Sequence, residues 1–272
     1  MSVRAVARRR ILGARISIVD RWGHARADPL FVLGNQKSGT TAVARLIAEA
    51  TGRTYSHDMF YRRQWSDVAD LHSGRLSVDD LVRRSSWEFS REVIKDPDLT
   101  FHHLALQARF PAARFLFVAR GPADNIRSLL NRHRFPGDVT DRCAEARLTE
   151  RLSPLWQAVF DPRPLGLAGG NYIDVLAQRW TLAADTYLSH PESQLLLRYE
   201  DFLADKLGTI ERSATELQMP IRADVSARLE EQFQVKGDNS TPVQEFFGPD
   251  NYARIRRWCQ DAAGRLDYSF DG

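Results

Sequence analysis

The sequence predicts an α/β fold of three layers, in which about four to five parallel strands form a central sheet flanked by helices. Three observations support this fold: apolar runs at residues 30–34, 113–120 and 193–199 are each followed by a helix-like pattern. Continuous apolar runs of this length are typical of parallel strands that are buried on both faces. A parallel sheet of this kind binds its ligands at the carboxyl ends of the strands.

The first unit is a strand, a glycine-bounded loop and a helix. Gly34 ends the apolar run, and apolar residues recur at helical spacing after Gly39 until Gly52 supplies a stop. A second strand is predicted at residues 91–95, followed by a helix over about residues 99–109.

The third strand is the strongest of the set and runs into a helix whose Pro122 suits a first turn. Two long helical patterns follow, at about residues 141–160 and 172–189. The last strand leads into a helix that begins near Glu200. Strands and helices therefore alternate along the whole chain.

Composition describes a chain that can bury one large core, since 43% of its 272 residues are hydrophobic. We predict a basic arm at residues 1–28 and a single domain at residues 29–272. The net charge of +3 argues against a nucleic-acid binder. We expect the arginine-rich segment to be a flexible basic arm, with peripheral contact with an anionic membrane surface or a partner as the alternative. No apolar stretch approaches the roughly 18 to 20 residues of a membrane span, and no secretory signal is recognisable, so we expect a cytoplasmic protein.

The first loop, GNQKSGTT, gathers groups that bind anions: backbone N–H groups at a helix N-terminus, two threonine hydroxyls and one ammonium. In the ATP- and GTP-binding P-loop, G-x-x-x-x-G-K-[ST], the lysine directly follows the second glycine. Here Thr40 holds that place, and Lys37 stands two residues before Gly39. The loop therefore keeps the phosphate cradle but departs from the kinase arrangement.

A second loop follows the third strand. Arg120 stands at the carboxyl end of that strand, and Ser128 lies one turn after Asp124 on the same face of the next helix. A guanidinium forks onto a phosphate and a hydroxyl adds a neutral donor, so this pair predicts a second anion site.

Together the loops G-x-x-K-S-G-T-T and R-x-P-x-D-x-x-x-S resemble the 5′-phosphosulfate and 3′-phosphate loops of the sulfotransferases that use 3′-phosphoadenosine 5′-phosphosulfate (PAPS), in particular bacterial and carbohydrate-type members. The resemblance covers roughly residues 30–237 and includes YIDVLAQRW and LLLRYEDFLAD. It implies a P-loop-like fold and an enzyme that moves a sulfuryl group from PAPS to an acceptor hydroxyl and releases 3′-phosphoadenosine 5′-phosphate (PAP). It implies no requirement for a metal.

The resemblance also assigns roles to the residues of both loops. Lys37 would neutralise the oxygen that bridges phosphate and sulfate. Arg120 and Ser128 would bind the 3′-phosphate, which distinguishes PAPS from ATP. The 5′-phosphate would be bound by Ser38, Gly39, Thr40 and Thr41.

Two further positions carry weaker parts of the pattern. Tyr199 matches a tyrosine that touches adenine in cytosolic members, or else is a core residue at the end of a strand. FQVKGDNS resembles the loop that closes on the nucleotide, which makes Lys236 and Gly237 candidate 3′-phosphate ligands, although the fuller R-K-G pattern is absent. Only four of the 38 basic residues are lysines, so each lysine is a candidate for a site that needs a compact charge.

Removal of the acceptor's proton calls for a general base. Cytosolic members have a histidine in a K-T-H segment, whereas this chain reads KDPDL with Pro97 in that place, which leaves Asp96 nearby. Some carbohydrate-type and bacterial members place a glutamate soon after the first helix, where this chain has TGRTYSHDMFY. We rank Asp58 first as the base, His57 second and Asp96 third.

The acceptor stays open among a sugar, a glycolipid, a glycopeptide and a small metabolite, and the arginine-rich composition suggests a bacterial source. Two other functions compete with sulfuryl transfer. An ATP-dependent phosphotransferase is disfavoured by the position of Lys37. A non-catalytic nucleotide-binding protein of the same fold is supported by the missing histidine.

Overall fold

The computed structural model describes residues 24–59, 66–231 and 240–270. The strands of these residues are β1 (Leu30–Leu33), β2 (Tyr55–His57), β3 (Val93–Lys95), β4 (Arg114–Ala119) and β5 (Leu195–Arg198). Within the described residues they form one five-stranded sheet in the order β2-β3-β1-β4-β5, and every neighbouring pair is parallel. Because β1 is the central strand, the loop that follows it lies at the middle of the carboxyl edge of the sheet.

Helices connect the strands and cover both faces of the sheet. In chain order they are α1 (Thr40–Ala50), α2 (Ser66–His72), α3 (Val78–Arg84), α4 (Ser86–Phe89), α5 (His103–Arg109), α6 (Pro122–His133), α7 (Arg142–Thr149), α8 (Pro154–Phe160), α9 (Tyr172–Leu188), α10 (Tyr199–Ala204), α11 (Lys206–Glu216) and α12 (Val243–Arg265). Short 3₁₀ turns occur at Pro97–His102, Pro191–Ser193 and Ser226–Arg228. Helix α12 is kinked at Gly248, whose φ of 66° is not helical.

The predicted fold class is confirmed, with differences in detail. All four predicted strands exist with slightly shorter bounds, and the three-residue strand β2 was not predicted. The helix predicted over residues 99–109 begins as a 3₁₀ turn with Pro97 in its first turn. The pattern at residues 141–160 forms two helices, because Pro154 lacks the N–H that a continuous helix would need and instead starts α8.

Strand β1 divides the hydrophobic core into two clusters, because successive side chains of a strand point to opposite faces. Leu30 and Val32 pack with α1 and α11 on one face. Phe31 and Leu33 pack with a larger cluster on the other face, to which α3, α6, α9 and α12 contribute. Helices α1 and α6, which follow the two predicted anion loops, therefore lie on opposite faces of the sheet and both begin at its carboxyl edge.

The described part of the predicted basic arm consists of its last five residues. The backbone N–H of Arg26 donates a hydrogen bond of 2.8 Å to the carbonyl of Phe89, so the chain is attached to the domain before Leu30. Residues 1–23 lie outside the described residues, and the boundary at residue 28 stays a prediction. None of the described helices is both long enough and apolar enough to cross a membrane.

Candidate active site

The loop between β1 and α1, residues 34–39, turns on two glycines that have no room for a side chain. Gly34 has a φ of 137°, and a Cβ there would lie 2.4 Å from the carbonyl oxygen of Val118. Gly39 has a φ of 93°, and a Cβ there would lie 2.2 Å from Cδ2 of Tyr199. Only glycine tolerates this combination of positive φ and close contact. The aromatic ring of Tyr199 therefore covers the start of α1.

Asn125 of α6 holds the inner side of this loop. Its side-chain N–H group lies 3.0 Å from the carbonyl of Gln36 and 3.0 Å from the Ser38 hydroxyl. Its side-chain oxygen accepts a hydrogen bond of 3.0 Å from Asn35. Since Asn125 is fully buried, these bonds fix the loop against α6 in a place that water does not reach.

A buried carboxylate holds the rear side of the loop. One oxygen of Asp98 lies 3.0 Å from Nε2 of Gln36, 2.6 Å from Nη2 of Arg179 and 3.2 Å from Nε2 of His72. Arg179 also donates a hydrogen bond of 3.0 Å to Gln36. Although burial acts in the other direction, the hydrogen bond with His72 and the charge of Arg179 lower the pKa of Asp98. The carboxylate is therefore ionised, and its hydrogen bonds fix the side chain of Gln36.

Lys37 has a left-handed backbone with a φ of 69° and lies where several cations meet. Burial and the positive charges of Arg132, Arg120 and Lys95 lower its pKa to about 8, and the charge of Asp58 opposes this shift only partly. Nη1 of Arg120 also donates a hydrogen bond of 3.1 Å to the carbonyl of Lys37. Cations held this close together repel one another, so an anion bound among them would be stabilised.

The other predicted phosphate ligands lie at the start of α1 and on α6. Gly39 is the N-cap of α1 and supplies no side-chain cap, no acid occupies the first turn of that helix, and Thr40 and Thr41 are its first two residues. The guanidinium of Arg120 lies 5.0 Å from the centre of the Tyr199 ring. Ser128 lies half-buried on α6, beyond the Asn125 contact with the loop. The structure thus brings Lys37, Arg120 and Tyr199 to one place.

The three predicted bases have different surroundings. The carboxylate of Asp58 lies 2.6 Å from Nζ of Lys95, with 36% of its side chain exposed. Asp96 is buried, accepts a hydrogen bond of 3.0 Å from the N–H of Asp98 and caps the 3₁₀ turn, and burial raises its pKa well above the ordinary value. The His57 ring stacks on Tyr55 with the ring centres 5.3 Å apart. The predicted ligands Lys236 and Gly237 lie outside the described residues.

The sequence motifs did not identify the residues at the C-terminal end of α6. The charge of Arg132 acts on Lys37, and burial together with the charges of Arg132 and Lys37 lowers the pKa of His133 to about 4. The His133 ring lies edge-on to Trp156 of α8, with the ring centres 4.5 Å apart. A signal for these residues existed in the helical period, because Arg132 lies two turns after Asn125 on the same face of α6.

The donor set fits an anionic nucleotide. An ammonium, two guanidinium groups, threonine hydroxyls and a helix N-terminus with no acid in its first turn all favour phosphate and sulfate groups. The ring of Tyr199 adds a flat surface beside them.

Comparisons with known proteins agree with this description. A family profile described as a sulfotransferase domain matches residues 27–249. No curated protein matches the chain in sequence. Among solved structures, sulfotransferase STF9 from Mycobacterium avium has a TM-score of 0.52 and 14% identity, over 96% of this chain and 82% of that one. Mouse sulfotransferase SULT7A1, solved in complex with PAP, has a TM-score of 0.50 and 10% identity, over 93% of each chain.

A third solved structure, a sulfotransferase from Alicyclobacillus acidocaldarius, has a TM-score of 0.50 and 15% identity, over 88% of this chain and 94% of that one. At such identities the solved structures establish the fold alone, a parallel sheet of the P-loop-like type. The family profile also establishes family membership, because it spans most of the chain and includes both anion loops. The chain therefore belongs to the sulfotransferase family.

Proposed function

We propose that this protein transfers a sulfuryl group from PAPS to an acceptor hydroxyl. The observation that carries the proposal is the position of Lys37, whose pKa is lowered to about 8 at the turn into α1 and whose carbonyl accepts a hydrogen bond from Arg120. An ammonium in this position suits the oxygen between a phosphate and a sulfuryl group. Because Lys37 and the N-terminus of α1 would neutralise the leaving phosphate, we infer that no metal is required.

The roles of the nucleotide ligands follow from the two loops. We infer that the 5′-phosphate is bound at the start of α1, by the backbone and hydroxyl groups of Ser38, Gly39, Thr40 and Thr41. Arg120 and Ser128 are assigned to the 3′-phosphate. Tyr199, which covers Gly39 and lies beside Arg120, is assigned to the adenosine. We keep Lys236 and Gly237 as ligands from the closing loop.

In-line transfer forms a bond from the acceptor oxygen to sulfur and breaks the bond from sulfur to the phosphate oxygen, which keeps the electron pair. Lys37 stabilises the charge on that oxygen, and the acceptor's proton passes to a base. Among the candidates Asp58 has the best support, because its carboxylate is partly exposed and is held by Lys95. Asp96 is buried and caps a turn, and His57 stacks on Tyr55, so both rank below it.

The proposed setting is a bacterial cytoplasm, with a sugar, glycolipid, glycopeptide or small metabolite as the acceptor. The arginine-rich composition supports a bacterial source. The PAP bound to mouse SULT7A1 supports PAPS as the sulfuryl donor.

Calorimetric titration with PAP and with ATP, each with and without Mg²⁺, tests the proposal. We expect PAP to bind in the micromolar range whether or not Mg²⁺ is present, because cationic side chains replace the metal. A preference for Mg·ATP would favour a phosphotransferase instead. PAP binding without transfer from labelled PAPS to any hydroxyl compound of a broad screen would favour the non-catalytic alternative.

A further inference from the structure

Arg132 is a cation of the site to which neither anion loop gives a role. It lies in the last turn of α6 and is exposed. Among the residues that the structure describes, its guanidinium forms no ion pair or hydrogen bond. Many other arginines do pair with acids, as Arg127 does with Asp124 at 2.6 Å and Arg75 with Asp70 at 2.7 Å.

Helix geometry places Arg132 on the side of the loop. Asn125 binds the carbonyl of Gln36 and the hydroxyl of Ser38, and so defines the face of α6 that meets the loop. Arg132 follows seven residues later, which is a rotation of about 20° from that face and an advance of about 10 Å along the axis. The guanidinium thus lies on the same face, towards the end of α6 that is far from Arg120.

The effect of Arg132 on the pKa of Lys37 indicates that the two side chains are close to each other. It has the largest effect of any charged group on the pKa of Lys37, ahead of Arg120. Lys95, the other lysine on this side, is buried and directs its ammonium to the Asp58 carboxylate at 2.6 Å. The cation that remains available next to Lys37, away from the 3′-phosphate loop, is therefore Arg132.

We propose that the guanidinium of Arg132 binds the sulfuryl group during transfer. This inference rests on the proposed function, which puts the ammonium of Lys37 at the oxygen between phosphate and sulfur. A sulfuryl group attached to that oxygen lies next to the ammonium of Lys37, on which Arg132 acts more strongly than any other charged group. While sulfur leaves the phosphate oxygen for the acceptor oxygen, the sulfuryl oxygens stay negatively charged, and a planar guanidinium offers them parallel N–H donors.

Comparison of two ligands tests the proposal without an acceptor, because PAP lacks the sulfuryl group that PAPS carries. The wild type, Arg132→Gln and Arg132→Lys are titrated with PAP and with PAPS by calorimetry. We expect Arg132→Gln to weaken PAPS binding about tenfold and to leave PAP binding within about twofold, with Arg132→Lys in between. Arg134→Gln is the matched control, since Arg134 is an exposed arginine at the same helix end, and it should change neither affinity.

A second readout follows the charge on Lys37. The chain has only four lysines, so NMR of the dimethylated lysines resolves them individually. Arg132→Gln should raise the pKa of Lys37, because it removes a neighbouring positive charge. The pKa should stay unchanged in Arg134→Gln.

The outcomes separate this inference from the function on which it rests. Equal effects of Arg132→Gln on PAP and PAPS, or no effect on either, would overturn the role of Arg132 while PAP binding by the wild type still supports the nucleotide site. Unchanged affinities together with a raised KM for the acceptor would assign Arg132 to the acceptor instead and would also overturn it. If the wild type binds neither PAP nor PAPS, the proposed function itself is overturned.

Discussion

The two sides of the phosphate loop differ in how their charges are paired. Behind the loop, the carboxylate of Asp98 lies within hydrogen-bonding distance of Gln36, Arg179 and His72, and opposite charges are matched in a buried place. In front of it, like charges converge on Lys37 and lower its pKa to about 8. The paired charges on the rear side therefore stabilise the loop, which allows it to tolerate repulsion between like charges on the front side. Strain of this kind is typical of binding sites.

The largest expected effect is on stability, from breaking the rear side of the loop. Asp98→Asn leaves the guanidinium of Arg179 buried without a counter-charge, which costs about 3–5 kcal/mol of unfolding free energy. Urea unfolding followed by circular dichroism measures this. Asp79→Asn is the control, because Asp79 pairs with Arg109 at 2.9 Å on the exposed surface, and its unfolding midpoint should hardly move. Equal midpoints for the two variants would show that the rear network does not stabilise the loop.

Removing the charge of Lys37 on the front side should lower activity, and it should raise stability where Asp98→Asn lowers it. In the proposed function, Lys37→Met removes the ammonium assigned to the leaving oxygen, so transfer from labelled PAPS should fall by about 10²–10³-fold. Because the pKa of Lys37 is lowered from 10.5 to about 8, its charged form disfavours folding below pH 8, and stability rises with pH between these two values. The variant should therefore have a higher Tm at pH 7.

Calorimetry checks the Tm, and transfer from labelled PAPS checks the rate. Lys206→Met is the control, since Lys206 pairs with Glu230 at 2.6 Å away from the loop, and it should leave PAP binding unchanged. A Lys37→Met protein with a lower Tm would contradict the view that the front side is strained.

The turn between the two sides offers a third test. Gly39→Ala puts a Cβ against the Tyr199 ring at a φ of 93°, with an expected cost of about 1–3 kcal/mol, and should weaken PAP binding. Gly74→Ala is a matched control: its φ of 76° imposes similar backbone strain, and its Cβ would meet no atom within 4 Å. If titration with PAP shows the same small loss in both variants, the contact with Tyr199 does not shape the site.

The smallest effect is a pH dependence. PAP binding favours charged Lys37, so affinity should fall as the pH rises above about 8, approaching a tenfold loss for each pH unit. Titrations from pH 7 to 9.5 measure the slope. Lys37→Arg, which stays charged throughout, should bind PAP with a flat profile over this range. A flat profile in the wild type would mean that Lys37 does not pair with the nucleotide.

Local patterns in the sequence were sufficient to predict the central strands and the loop, because apolar runs and glycines depend on the conformation of neighbouring residues in the chain. Strand β2 was missed because three residues carry too little periodicity. Asp98 and Arg179 were missed for another reason, since they meet only after folding and lie 81 positions apart.

The scarcity of lysines in the sequence was a mixed guide to the site. It pointed to Lys37 correctly as a residue of the loop, whereas Lys95 proved to pair with Asp58, and Lys206 with Glu230. Lysine scarcity gives no indication of Arg132 in a chain rich in arginine. The helical period places Arg132 on the same face of α6 as Asn125, but only the packing of α6 against the loop shows that this face meets Lys37.

The hydrogen bond from Arg120 to the carbonyl of Lys37 has a consequence for how a nucleotide enters. The loop has its shape before a ligand binds, because Arg120, assigned to the 3′-phosphate, already holds the backbone of Lys37, assigned to the sulfate linkage. The conformational entropy of the loop is therefore lost during folding, and binding does not incur this cost a second time. A nucleotide would therefore meet a β1–α1 loop that is already ordered, and we expect that ordering of this loop does not limit the association rate.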